Sequence, residues 1–120
     1  MKTHRDLNVW NNSINLVTTI NQITNDFPKS EIFGITSQIR RAAVSIPSNI
    51  AEGAARTSKK EFNNFLSIAL GSASELETQI IISKNLEYLS NEKSELLLNE
   101  LTSIQKMIVG LMKNIKSSLH

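Results

Sequence analysis

Residues Gln38–Arg56 read QIRRAAVSIPSNIAEGAAR, and this stretch decides the fold because it has the pattern of a helix despite a proline in its middle. At about 100° per residue, the apolar side chains of residues 35–54 fall on one face of a helix. A break at Pro47 would make Ile46 the new N-cap, and isoleucine caps helices poorly. The sequence therefore predicts one continuous second helix, kinked at Pro47 at a cost of about 3 kcal/mol.

The rest of the chain is also helical in pattern, because no window alternates strictly between apolar and polar residues. A first helix is predicted from about Asp6 to Asn25. Pro28 and Gly34 then interrupt the pattern, and residues 30–33 between them have room for one helical turn before the second helix begins near residue 35 or 36.

The third helix is predicted to open at Ser58, where SKKE is a capping box that pairs Ser58 with Glu61. A short turn at Ser90 and Asn91 leads to the fourth helix. Both helices carry large apolar residues at alternating spacings of four and three, which is the pattern of a bundle core. These are Phe62, Leu66, Ala69, Ala73, Leu76 and Ile80 in the third helix, and Leu97, Leu101, Ile104, Ile108, Leu111 and Ile115 in the fourth.

Four helices joined by short connections favour an all-α fold, an antiparallel up-down-up-down four-helix bundle, in a single domain of residues 1–120. The middle of the third helix is rich in small residues, namely Ala69, Gly71, Ser72 and Ala73. We expect these to lie against Ala42 and Ala43 of the second helix, where the two helices can come close.

The chain has more large apolar residues than one bundle core needs. The surplus comprises a second stripe on helix one (Leu7, Trp10, Ile14, Val17), the run Ile80–Ile82, and Leu98, Met112 and Leu119 on helix four. Burying one such side chain is worth about 1.5–3 kcal/mol, so we expect copies of the chain to cover these residues in a homo-oligomer. The alternative is a monomer with scattered surface apolar residues, which is common in proteins.

The residues that carry most catalytic and metal chemistry are scarce. There is no cysteine, and the two histidines, His4 and His120, lie at the termini. Glu75 and Glu77 diverge by about 200° on a helix and cannot share an ion. We therefore expect no enzyme activity, no metal and no cofactor. The short apolar runs also predict a cytoplasmic protein that neither crosses a membrane nor is secreted.

One cluster of cations could bind phosphates. Arg40, Arg41, Arg56, Lys59 and Lys60 lie within 21 residues, with only Glu52 to oppose them before residue 61, and arginine forks bind phosphate oxygens in pairs. Two other interpretations remain open. The cations can form a solvated face, or the second helix can carry a structural network in which Ser45, Asn49 and Glu52 meet Glu75 or Gln79 of the third.

The two segments QIRRAAVSIPSNIAEGAAR and EFNNFLSIALGSASELETQ together resemble the signature of the four-helix-bundle family of ribosomal-RNA intervening-sequence proteins of the large-subunit 23S rRNA. The resemblance covers nearly the whole chain. It implies an antiparallel four-helix bundle that assembles as a cyclic homopentamer, with no known enzymatic activity. The residues at signature positions that we single out for function or assembly are Arg40, Arg41, Ser45, Pro47, Asn49, Glu52, Gly53 and Arg56.

The fold also resembles that of the accessory variability protein of diversity-generating retroelements, a basic pentameric barrel that binds nucleic acid and a reverse transcriptase. That activity depends on a strongly positive surface, whereas the present chain has a net charge of only +2, and likeness of fold does not transfer function. Two hypotheses follow. The chain is a non-enzymatic oligomer that binds RNA or DNA through the five cations, or it is a structural scaffold that docks a protein partner without any role in nucleic-acid binding.

Overall fold

In a computed structural model, residues 2–118 are described, and they form four α-helices and no β-strand. The helices are α1 (Asn8–Thr24), α2 (Ile35–Ala54), α3 (Lys59–Asn85) and α4 (Asn91–Ser118). Short 3-10 turns occupy His4–Asp6 and Lys29–Glu31. The predicted all-α fold of four helices is confirmed. Leu119 and His120 lie outside the described residues.

Contacts between helix ends show which ends lie together. Lys59 Nζ donates to Ser118 Oγ at 3.1 Å, so the start of α3 lies beside the end of α4. At the other end, the Phe27 and Tyr88 rings lie 5.6 Å apart, which joins the α1–α2 connection to the α3–α4 connection. An up-down-up-down order requires these contacts. The alternating direction stays a prediction, which rests on them and on connections too short to cross the length of α3.

The core consists of the apolar faces that the spacing predicts. Leu66, Ala69, Ala73, Leu76 and Ile80 of α3 are fully buried, and Phe62 is nearly so. In α4 the predicted residues are buried except Leu111, which is half-buried. Of the two apolar stripes on α1, the one with Leu16 and Ile20 enters the core. In the other stripe, Leu7, Trp10 and Val17 are half-buried against the core, and Ile14 is 38% exposed.

The second helix runs without interruption through Pro47, as the pattern predicts, and Pro47 itself is buried. A proline ring in a helix removes one backbone hydrogen bond, so the helix persists because its apolar face is buried on both sides of the ring. Ile39, Ile46 and Ile50 each expose 1% of their surface or less. The kink at Pro47 stays a prediction.

Of the small residues predicted in the middle of α3, Ala69 and Ala73 are fully buried and Ser72 contacts Ser45 of α2, but the prediction for Gly71 is wrong. The glycine at which α2 and α3 approach closely is Gly53. A Cβ atom added to Gly53 would lie 2.7 Å from Phe65 Cβ and 3.0 Å from Phe62 Cδ1. Gly71 is exposed, and an added Cβ would meet nothing within 4 Å. A glycine inside a helix costs about 1 kcal/mol of stability relative to alanine. No contact within the described residues explains why Gly71 carries this cost.

Both ends of α3 are capped, and the sequence predicted the cap at its start. The Ser58 hydroxyl accepts a hydrogen bond from the Glu61 amide at 3.0 Å, which is half of the predicted capping box. At the far end, Tyr88 N–H donates to the Ser83 carbonyl and Glu87 N–H to the Lys84 carbonyl, both at 2.9 Å. This is a Schellman motif, and Glu87 occupies its left-handed position with φ of 65°.

By length and composition α3 is apolar enough to cross a membrane. Its most apolar stretch is 33% buried within the fold, and Leu66, Leu76 and Ile80 belong to the core. A core helix of a water-soluble bundle passes the same test of length and composition.

Two glycine substitutions test the α2–α3 contact. Gly53→Ala forces a methyl group against Phe62 and Phe65, so we expect the free energy of unfolding to fall by about 1–3 kcal/mol. Gly110→Ala is the matched control, because an added Cβ there meets nothing within 4 Å. It should raise the free energy of unfolding by about 0.5–1 kcal/mol through helix propensity. Urea denaturation measures both, and equal shifts in the two variants would contradict the assigned packing.

Replacing Glu87 by glycine tests the strained cap of α3. A side chain in the left-handed region is disfavoured by about 1–2 kcal/mol, whereas glycine is not, so Glu87→Gly should stabilise the protein by about 0.5–1 kcal/mol net. Glu87→Ala removes the same carboxylate but keeps Cβ, and it should give no such gain. Thermal and urea unfolding distinguish the two, and an equal gain from both variants would assign the effect to charge.

Candidate nucleic-acid interface

The five cations that the sequence groups together do not form one patch. Arg40 and Arg41 lie near the start of α2, whereas Arg56 follows its end and Lys59 and Lys60 open α3. Arg40 lies 14 residues before Ala54, where α2 ends, and this length of helix is about 21 Å along the axis. The two groups therefore lie towards opposite ends of the bundle.

Arg40 is engaged within the fold. Its Nε donates to Thr24 Oγ1 at 2.8 Å, and its terminal nitrogen donates to Asn25 Oδ1 at 3.0 Å and to the Asn21 carbonyl at 3.4 Å. A cation at the end of α1 complements the negative end of that helix dipole and binds polar groups that the helix leaves unpaired. Arg40 is therefore held by the end of α1, and its role in phosphate binding stays a prediction.

Arg41 and Arg56 differ in their surroundings. Arg41 is exposed, and within residues 2–118 it makes no salt bridge. Arg56 donates to Glu52 Oε1 at 2.9 Å, and its guanidinium lies 4.9 Å from the centre of the Phe65 ring. A guanidinium held over an aromatic ring keeps part of its donor edge free for another acceptor.

The polar residues of the signature make contacts that differ from the predicted network. Ser45 Oγ lies 3.0 Å from Ser72 Oγ, and Asn49 Nδ2 donates to both the carbonyl and the hydroxyl of Ser45. Glu52 pairs with Arg56 of its own segment and does not reach α3. The predicted partners Glu75 and Gln79 bond to each other within α3 at 3.3 Å. The network therefore joins α2 to α3 through Ser72, which the sequence placed among the small residues of α3 but not as a hydrogen-bond partner.

With the predicted alternation of helix direction, the charges along the bundle separate into two halves. We call the half that contains the start of α1 and α3 and the end of α2 and α4 the basic half, and the other the acidic half. By residue number the basic half is 2–16, 45–72 and 105–118, and the acidic half is 17–44 and 73–104. The basic half carries eight lysines and arginines against three carboxylates, and the acidic half carries five against eight.

The basic half thus has a net charge of +5 and the acidic half −3, which together give the net +2 of the chain. Arg56, Lys59 and Lys60 of the predicted set belong to the basic half, and all three are exposed. Sequence reasoning missed the other cations of this half, which come from distant segments, namely Lys2, Arg5, Lys106, Lys113 and Lys116. Counting charge separately for each half of every predicted helix would have found them.

The chemistry available in this half is binding of anions. Its cations are exposed lysines and arginines, which bind phosphate oxygens without reading bases. Two side chains, Asp6 and Tyr88, have pKa values shifted by their immediate neighbours. Backbone N–H groups of Lys2 and Thr3 lower the pKa of Asp6, and in the acidic half burial and the hydrogen bond to Glu31 raise the pKa of Tyr88. Within residues 2–118, no three His, Cys, Asp or Glu side chains gather as a metal site would require.

A surface hollow of about 280 Å³ lies between α1 and α4. Its lining is polar and includes Asn12, Asn15, Thr19 and Ser103, with Glu100 as its one titratable side chain. A general acid–base pair needs a second titratable group within reach. This hollow does not offer the arrangement of a hydrolytic active site.

The chain was compared with protein families, with solved structures and with curated proteins. The sequence model of a family described as 23S rRNA-intervening sequence protein matches residues 5–110. A crystal structure of a protein with unknown function from the S23 ribosomal protein family of Bacteroides thetaiotaomicron superimposes with a TM-score of 0.81. The two chains are 30% identical, and the match covers 88% of this chain and 95% of that one. Among curated proteins, none matches the chain.

The role of Arg40 can be tested against its neighbour. Arg40→Ala removes three hydrogen bonds at the end of α1, so the free energy of unfolding should fall by about 1 kcal/mol. Arg41→Ala removes the same charge from an exposed position and should change it by less than about 0.5 kcal/mol. Urea denaturation gives both values. Equal losses in the two variants would show that Arg40 does not cap α1.

Proposed function

The chain belongs to the 23S rRNA-intervening sequence protein family, and from that premise we propose that it is a non-enzymatic protein that binds the phosphate backbone of RNA or DNA as a homo-oligomer. The contact surface in this proposal is the basic half, with Arg56, Lys59 and Lys60 at its centre. The observation that carries the proposal is the net charge of +5 in that half.

Phosphate binding by this surface would not read sequence. The cations are long, exposed side chains on the ends of helices, and such contacts fix a protein on the backbone without contacting base edges. The Arg56 guanidinium over Phe65 adds a flat cationic surface on which an unpaired base can stack. These two features favour single-stranded or looped RNA over a regular duplex.

Self-association strengthens the proposed binding. The fold leaves ten large apolar side chains exposed among the described residues, among them Phe33 at 95% and Ile68 at 52%. Covering such side chains with a second copy is favourable at about 25 cal/mol per Å² of apolar surface. Several basic halves in one assembly raise the effective concentration of cations for a long polyanion. The resemblance to the family suggests a homopentamer, and the cytoplasm, where RNA is available, is the proposed location.

A second candidate function is a scaffold that docks a protein partner without a role in nucleic-acid binding. The placement of Arg40 favours it, because one of the five predicted phosphate-binding cations is used inside the fold. The exposed Phe33 is a second observation in its favour, since aromatic side chains are frequent anchors at protein interfaces. A pull-down that recovers one protein in fixed proportion, and no nucleic acid after nuclease treatment, would support this alternative.

Reversal of charge in each half distinguishes the two functions. Lys59→Glu, Lys60→Glu and Lys113→Glu together should weaken binding to a single-stranded RNA at low salt by at least about tenfold. Because each phosphate contact releases counterions, the slope of log affinity against log salt should fall by about two to three.

The matched control reverses Lys29, Lys84 and Lys93, which are exposed lysines of the acidic half. It changes the net charge by the same amount and should leave most of the affinity and the slope in place. Fluorescence anisotropy with a labelled RNA measures both variants. Equal losses in the two would assign the binding to net charge alone, and no binding by the natural protein at low salt would remove the proposal in favour of the scaffold.

A further inference from the structure

The hollow between α1 and α4 gathers polar side chains that the fold leaves unused. Its floor is Ile104, which exposes only 1% of its surface. Asn15, Glu100 and Ser103 line its walls, and within residues 2–118 none of these three side chains has a hydrogen-bond partner. This site, which we call the Glu100 hollow, therefore has an apolar floor with hydrogen-bonding groups around it.

Asn12 adds a further amide to the Glu100 hollow. Its Nδ2 donates to Met107 Sδ at 3.4 Å, and a thioether is only a weak acceptor. The amide therefore loses little when a stronger acceptor replaces the sulfur. Met107 also lines a second hollow of about 630 Å³ between the same two helices. The two hollows meet at this contact and form one continuous α1–α4 groove.

The second hollow continues the groove into the basic half. Lys113 and Asn114 line it, and no side chain obstructs it at Gly110, where an added Cβ would meet nothing within 4 Å. Ile104 precedes Lys113 by nine residues of α4, which is about 14 Å along the axis. A few nucleotides of single strand span this distance, since a stacked strand rises about 3.4 Å per nucleotide.

The Glu100 hollow matches the chemistry of a nucleobase. A base has apolar faces and a polar edge, and a volume of about 280 Å³ lies at the small end of ligand pockets, which start at about 300 Å³. An ionised carboxylate accepts hydrogen bonds and donates none. Glu100 therefore favours an edge that donates, such as the amino group of cytosine or adenine. Uracil presents a carbonyl oxygen at that place, which a carboxylate repels.

We infer that the α1–α4 groove seats a single strand of nucleic acid, with one cytosine or adenine in the Glu100 hollow. Lys113 holds a phosphate of the same strand, and the amides of Asn12 and Asn15 bond the rest of the base edge. The inference rests on the proposed function, and it adds selection of a base to phosphate contacts, which by themselves read no sequence. RNA and DNA share this base edge.

Oligonucleotides that differ only in their base test the inference. Cytosine and uracil have rings of one size, but only cytosine carries the amino group. The natural protein should bind an oligo(C) of about eight nucleotides at least about fivefold more tightly than the matching oligo(U). Fluorescence anisotropy at low salt measures both affinities. Oligo(dC) and oligo(dU) form the DNA arm: the same preference there assigns the hollow to both kinds of strand, and its absence assigns the hollow to RNA.

Glu100→Gln separates the hollow from general charge. The glutamine amide donates to the uracil oxygen and also accepts from cytosine, so the ratio of the two affinities should fall to within about twofold. Glu95→Gln removes the same charge from another exposed position of α4 and should keep the natural ratio. Equal affinities for oligo(C) and oligo(U) in the natural protein, or an unchanged ratio in Glu100→Gln, would overturn the inference. If neither oligonucleotide binds at low salt, the proposed function itself fails, and the inference fails with it.

Side-chain amide resonances in NMR spectra locate the base independently of affinity. Oligo(C) should shift the amide resonances of Asn12 and Asn15. The resonances of Asn85 and Asn91, which lie together at the acidic end, should stay in place. Binding of oligo(C) without a shift at Asn12 and Asn15 would put the base elsewhere and contradict the assigned hollow.

Discussion

The close contact between α2 and α3 is the constraint on which the rest of the structure depends. Gly53 removes the side chain that would collide with Phe62 and Phe65, and Ser45 reaches Ser72 higher along the same pair of helices. The contact fixes the end of α2 beside the start of α3, so that Arg56, Lys59 and Lys60 emerge together. Because the end of α4 lies at the same level, a nearly neutral chain becomes a rod with one basic and one acidic half.

Much of the fold could be predicted from the sequence, because burial of apolar faces dominates a helical bundle. The spacing located the cores of α3 and α4, and burial of Ile46 and Ile50 on either side of Pro47 explains why α2 continues through it. The prediction that Gly71 lies against α2 was wrong for a physical reason. A small residue in a sequence shows that something can approach, but the helix rotation that decides which neighbour does so is set by packing on both sides.

The candidate site was less predictable, because closeness in sequence is not closeness in space. Arg40 and Arg56 belong to one cluster of cations in the sequence, but about 21 Å of helix lies between Arg40 and the end of α2 that precedes Arg56. Arg40 also caps α1. The basic half brings together Lys2 and Lys113 from the two ends of the chain. No short stretch of sequence contains both residues. Exposed apolar residues such as Phe33 could be counted from the sequence, but their level along the bundle needed the structure.

The central claim is that the polarised charge of the bundle places a phosphate backbone on its basic half. Lysine modification in the presence and absence of a single-stranded RNA, followed by mass spectrometry, measures this residue by residue. The account predicts that RNA protects Lys59, Lys60 and Lys113 and leaves Lys84 and Lys93 as reactive as in the free protein. Equal protection of all lysines, or protection confined to the acidic half, would contradict it.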